Sequence, residues 1–373
     1  MNKRKNLFQM HSKSLGILLC IFLSMSLAYA IIEQNNYSQK TAFQFVTDED
    51  IEIKVLEVSA PDGALQMYKA TVKTPICEDK VCYDVELFFY WNLVGDFINY
   101  EIIPNKPLTK IKHQTFSEAD YNKLTEILTN KQAVFYNLKK DELTTKIENV
   151  DGVSGATINS IKEQSIQGAV YSCYTLWHIA NGIVVDSIRN HTSKMLEKKV
   201  VNSIVAINNS NADVFLINNF NSIQFKQFTS EILDLIKRND WSFTKNAIEK
   251  MPTDVLLTSQ TQFFFTEQYL KMDYFAQISL LKKLQNQKLN NDLLNSFIDV
   301  IDNDTYKNEL IFQLINYNSI QISDKTLSML LKSIVDKSLQ LNKQMTQTIL
   351  LITKSRKTLK SEFADFKDYL DKK

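Results

Sequence analysis

Glycine and proline are scarce in this chain of 373 residues, seven and five respectively. Collagen-like and low-complexity architectures depend on those residues and are excluded. Neither sign of charge is in excess: 43 Lys and Arg stand against 42 Asp and Glu, a formal net charge of +1. That balance lacks the basic footprint of a nucleic-acid binder, so no nucleic-acid partner is expected. Wholesale disorder is excluded by the 44% hydrophobic content, because disordered chains are apolar-poor. No second cysteine pair or nearby histidine completes a zinc site around Cys77 and Cys82. No Gly-x-Ser-x-Gly elbow marks a serine hydrolase. A single long apolar run exists, and it stands at the N-terminus.

There Lys3, Arg4 and Lys5, with Lys13 later, precede the apolar stretch Ser14 to Leu27, and Ala28-Tyr29-Ala30 supplies the small-x-small pattern of a signal-peptidase site. The apolar core is shorter than the roughly 20 residues a membrane span needs. Residues 1–30 therefore read as a signal peptide cleaved near Ala30, with an uncleaved N-terminal anchor as the alternative. Cys20 lacks the small residues that precede a lipidated cysteine. The expected location is extracytoplasmic, in the periplasm or attached to the membrane from outside. In an oxidising compartment Cys77 and Cys82, which bracket Glu-Asp-Lys-Val between two β-like runs, read as a structural disulfide rather than a redox dithiol. Cys173 lies in an apolar helical pattern and reads as a buried free thiol.

The chain changes character near residue 182. Beyond Gly182 the only glycine or proline is Pro252, so tight β-turns give way to helices with polar connectors. Phe228–Ile236, Leu293–Ile301, Leu327–Val335 and Met345–Ile352 place apolar residues at three- and four-residue intervals. Leu293–Ile301 aligns with Leu327–Val335 at an offset of 34, a spacing of helical-hairpin repeats; a plain bundle fits the pattern as well. Upstream, Ile51–Val58, Ala64–Thr74, Val81–Trp91 and Phe97–Ile103 read as strands, with a turn at Leu93-Val94-Gly95-Asp96. Ser117 followed by Glu118-Ala119-Asp120 caps a helix through Leu128. The expected architecture is an α+β domain over 31–192 followed by an all-α domain over 193–373, solenoid-like or a bundle. Asn208-Asn209-Ser210-Asn211 reads as a linker.

Between these parts stands Asp151-Gly152-Val153-Ser154-Gly155-Ala156-Thr157-Ile158-Asn159-Ser160. The residues from Asn159 to Ala180 carry an amphipathic pattern that predicts one helix, and Asn181-Gly182 predicts a left-handed C-terminal cap. Gly155 and Ala156 permit close backbone approach at the helix start, where amides favour a phosphate and Thr157 offers a hydroxyl. Ser154 and Thr157 serve equally well as caps of an ordinary helix.

Asp151, Ser154, Gly155, Ala156, Thr157 and Ser160 resemble the flavinylation motif of FMN-binding domains, the family that includes flavin-carrying subunits of the sodium-translocating NADH:quinone reductase and of Rnf complexes. The resemblance covers residues 51–190. It implies FMN esterified through its phosphate to Thr157 by a separate Mg-dependent flavin transferase that draws FMN from FAD. It also implies Ser160 as a phosphate neighbour. Family members carry an upstream Glu-Thr-Pro-Gly stretch; here Asn105-Lys106-Pro107-Leu108-Thr109-Lys110-Ile111-Lys112-His113 stands in its place. His113 is the candidate on that loop to approach the flavin, its alternative role being a solvated loop residue. His178 reads as a hydrogen-bonded core histidine, His191 and His11 have no evident partners, and Phe88-Phe89 and Tyr90-Trp91 read as core.

The expected function is an extracytoplasmic flavoprotein that relays electrons to or from a redox partner. The alternative is an exported, flavin-free interaction protein whose helical repeat is the binding surface.

Overall fold

The structure is a computed structural model that describes residues 37–372 apart from 48–49, 79–80, 141, 144–160, 162 and 355; the side chains of 77, 78 and 81–84 also lie outside the description. The signal-peptide expectation for residues 1–30 falls outside the described residues. The chain divides between Ala212 and Asp213 into two compact units.

In the first unit five strands, β1 (Ser38–Val46), β2 (Glu52–Ser59), β3 (Leu65–Glu78), β4 (Val81–Trp91) and β5 (Phe97–Ile102), form an antiparallel meander in sequence order. The four later strands are those the alternation predicts. β1 is an addition: its mostly exposed edge position and the register shift between Thr41 and Phe43 leave no clean two-residue period. Ile53, Val55, Tyr68, Ala70, Val72, Leu87, Phe89 and Trp91 are buried in the sheet core. Gly95 turns β4 into β5 at φ +80°, and a Cβ there would lie 2.9 Å from the Val185 carbonyl, so the turn needs glycine twice over.

Helices α1 (Glu118–Thr129), α2 (Val170–Asn181), α3 (Ile183–Ser193) and α4 (Lys198–Ile207) pack on this sheet or on one another. Ser117 and Asp120 form the expected capping box on α1. Trp91 Nε1 donates to the Ala180 carbonyl at 2.8 Å and Tyr68 Oη lies 2.8 Å from Thr192 Oγ1, fastening α2 and α3 to the sheet. Trp177 Nε1 donates to the Asn130 carbonyl and Asn181 Nδ2 to that of Leu128, so α2 also holds the C-terminal end of α1.

Two helical expectations are corrected here. The helix predicted over 159–180 is interrupted: residues 161 and 163 are helical, the chain turns through 164–169, and α2 begins at Val170. Gly168 stands at φ +74° and its carbonyl accepts the Ile111 N–H at 2.8 Å, while Gln164 Oε1 accepts the Val134 N–H at 2.9 Å. These long-range bonds overrule a local helical period. Gly182 is no left-handed cap, since its φ is −84° and α3 follows at once. A Cβ there would lie 2.4 Å from the His178 carbonyl, so close approach, not handedness, requires the glycine.

In the second unit, α5 (Ser210–Asn219, entered from the first), α6 (Ser222–Gln227), α7 (Thr229–Arg238), α8 (Trp241–Lys250), α9 (Thr253–Leu256), α10 (Ser259–Gln268), α11 (Tyr274–Lys283), α12 (Asn291–Asp299), α13 (Thr305–Tyr317), α14 (Asp324–Asp336), α15 (Lys343–Thr353) and α16 (Lys360–Asp371) follow in order. They stack in two rows: α7, α10, α12, α14 and α16 contact in series, and α8, α11, α13 and α15 do likewise. The row members recur at intervals of roughly 30–38 residues, the period of two-helix repeats. This stacking is the solenoid-like arrangement of the two that the sequence left open. Side chains stitch neighbouring repeats: Gln262 Oε1 accepts from the Asn290 amide at 2.9 Å, and Asn291 Oδ1 from the Ser323 amide at 2.8 Å. Near the first repeat the buried Asp213 accepts from Arg238 Nε at 2.9 Å and Asn239 Nδ2 at 2.6 Å.

Candidate functional site

The segment bearing Asp151, Ser154, Gly155, Ala156, Thr157 and Ser160 lies outside the described residues. Its flanks are inside them. Leu143 and Ile161, on either side, are both buried, and the Gln164–Val134 bond joins the chain beyond the segment to the chain before it.

The loop preceding α1 is tied to the same region. Thr109 and Thr115 form an antiparallel bridge, Lys110 N donates to the Gln114 carbonyl at 2.7 Å, and Ile111 N reaches the Gly168 carbonyl. Lys112 and His113 both adopt the left-handed region, with φ of 60° and 58°. Two consecutive non-glycine residues in that region are strained unless their surroundings hold them. Here the bridge holds them from within the loop, and a salt bridge holds the loop from α1: Lys110 Nζ lies 2.7 Å from Asp120 Oδ2. Burial alone would raise Asp120, but hydrogen bonds from Lys110 and Ser117 outweigh it and keep the carboxyl below its usual value. The result is an exposed basic loop, Lys112 and His113 at its tip, braced against the turn that follows the motif.

An electropositive loop braced there suits the one remaining negative charge of a phosphodiester. A ring site is a separate matter. The cleft lined by Thr47, Ile51, Tyr174, Thr175, His178 and Ile179 encloses about 40 Å³, room for water but not for a tricyclic isoalloxazine, and it adjoins the far half of α2.

The other residues singled out from sequence are placed as follows. Cys77 and Cys82 stand directly opposite in the β3–β4 register. Cys173 is a buried free thiol, pushed by burial up to about 12, which keeps it protonated and inert. His178 packs between Tyr174, ring centroids 4.3 Å apart, and Trp177, at 5.0 Å. Phe89, Tyr90 and Trp91 are buried, as a core role requires, and Phe88 is half-buried beneath the Lys69 ammonium at 4.0 Å. His191 does have a partner: its Nε2 lies 2.7 Å from Glu57 Oε1, and its ring packs on Phe43 and Tyr68. Glu57 is 134 residues away, and no local pattern announces such a pair. Among the described residues no cluster of three or more His, Cys, Asp or Glu suits a metal ion, and no helix is long and apolar enough to cross a membrane.

Comparison with protein-family models, with curated proteins and with solved structures finds no match to this chain.

Proposed function

We propose that this protein is an extracytoplasmic flavoprotein carrying FMN in phosphoester linkage on Thr157 and relaying electrons between redox partners. The observation that carries the reading is the run Asp151-Gly152-Val153-Ser154-Gly155-Ala156-Thr157 with Ser160 three positions on, together with a signal-peptide pattern on the same chain. The basic loop at Lys112 and His113, braced against the turn after the motif, supports it electrostatically. A covalent link also makes physical sense outside the cytoplasm. A non-covalent cofactor stays bound only while free ligand exceeds its dissociation constant, and secreted FMN is dilute.

When bound, the flavin supplies one- and two-electron chemistry. The chain's own residues divide the remaining work. Thr157 Oγ would carry the ester, with Asp151, Ser154, Gly155 and Ala156 as the recognition sequence for a flavin transferase. Ser160, Lys112 and His113 would donate hydrogen bonds to the phosphate oxygens. Cys77 and Cys82 would close a disulfide across the β3–β4 hairpin.

The test is mass spectrometry of protein coexpressed with a flavin transferase and exported. The expected result is a Thr157 peptide heavier by FMN less water; an unmodified peptide overturns the proposal. The flavin-free alternative draws on the exposed rings of the second unit, described next, and predicts a colourless protein. Absorbance that survives denaturation and dialysis separates the two.

A further inference from the structure

The helical unit exposes large rings at one repeated position. Trp241, Tyr274 with Phe275, and Tyr306 stand in the first turns of α8, α11 and α13, successive members of one row, and are 47%, 41%, 55% and 46% exposed. Each group follows an aspartate N-cap, Asp240, Asp273 or Asp304, whose carboxylate accepts an amide of its own helix. The Trp241 and Phe275 centroids are 5.4 Å apart with planes 37° from parallel, and Phe275 meets Tyr274 at 5.6 Å. Asp304, which caps the helix of Tyr306, is near enough to the Tyr274 hydroxyl to raise its pKa.

Beside Trp241 runs a groove of about 320 Å³ whose lining includes Asn239, Thr244, Gln268 and Lys271. Among the described residues, nothing engages the side-chain amide of Gln268 or the ammonium of Lys271 through a hydrogen bond or ion pair. The charge of the groove selects its occupant. Lys237 and Lys271 stand beside Asp240 and Asp273 in the lining, Lys237 Nζ being paired with Asp234 at 3.0 Å, and both lining carboxylates sit on helix N-termini, whose dipoles oppose their charge. A cationic segment gains little there, and an anion meets two carboxylates. An apolar peptide anchor needs an apolar pocket, whereas much of this lining is amide, hydroxyl and carboxylate. A neutral ligand with flat C–H faces and hydroxyl edges satisfies both the rings and the polar lining.

We infer that this row is a binding site for a neutral linear oligosaccharide, with Trp241 and Phe275 stacking on pyranose faces and Gln268 and Lys271 hydrogen-bonding the hydroxyls. The inference stands on the helical unit alone and is independent of the flavin. Isothermal titration of the full exported chain with cello-, xylo-, manno-, malto- and chitohexaose tests it, with deca-lysine as the rival ligand. At least one hexasaccharide is expected to bind. The Trp241→Ala/Phe275→Ala double variant is expected to weaken it about ten-fold or more. The Gln268→Ala/Lys271→Ala variant alters only surface polar groups, keeps the fold, and is expected to weaken it as well. The proposal is overturned if no hexasaccharide binds, if both variants bind as the parent does, or if deca-lysine binds at these rings instead.

Discussion

Thr157, Asp120 and the two hairpin cysteines each carry a prediction at the scale of single side chains. Thr157→Ala is expected to abolish retained flavin while changing unfolding free energy by less than about 0.5 kcal/mol; absorbance and a denaturant titration on the same sample read both. Loss of folding in that variant would assign the hydroxyl to helix capping. Asp120 is held below the usual carboxylate value by Lys110 and Ser117 in spite of its desolvation. The sign follows from linkage: a lowered folded-state value stabilises fully above the ordinary carboxylate range and is lost as pH falls through the folded value. A carbon-detected titration of the Asp120 carboxyl should give a midpoint below that of an unperturbed aspartate, and Lys110→Ala should move it back up. Cys77 and Cys82 face one another in register, so the non-reduced protein should lack both thiols, and reduction should cost about 2 kcal/mol on chain-entropy grounds. Free thiols at both positions in exported protein would refute the bridge. These side chains are also where sequence reading reached furthest and fell shortest. The motif around Thr157 was legible as a run of residue types. The His191–Glu57 pair was not, because it exists only once the sheet and α3 have met.

Secondary-structure elements show the same division, with a physical cause in each case. β2 to β5 were legible because one face of each is buried, which writes alternation into the sequence. β1 is an edge strand with mostly exposed side chains, so nothing enforces that alternation. The break at 164–169 was illegible because its causes, Val134 and Ile111, lie 30 and 57 positions upstream of their partners Gln164 and Gly168. Gly95 combines both demands in one residue, positive φ and contact with the Val185 backbone. Gly95→Ala is therefore expected to destabilise the first unit by about 2–3 kcal/mol, seen as a lowered denaturation midpoint with an unchanged m-value. A neutral effect would mean that α3 yields at Val185.

At the scale of the whole chain, the composition changes after Gly182, whereas the chain divides into two compact units between Ala212 and Asp213. The offset of 34 between Leu293–Ile301 and Leu327–Val335 marks α12 and α14, neighbours in one row. The two-row stacking itself needed the structure, since a bundle has the same local periodicity. Compactness predicts autonomy: a fragment beginning at Asn209 is expected to keep its helical far-UV dichroism and to melt cooperatively. A fragment without dichroism or without a melting transition would deny it.

The two-row arrangement has one more consequence. Helix contacts in it join elements close along the chain, with side-chain ties such as Asn291 to Ser323 spanning 32 positions. Hairpins can therefore be gained or lost by duplication without rewriting the remainder, and the reach of the array becomes a quantity that evolution adjusts one hairpin at a time.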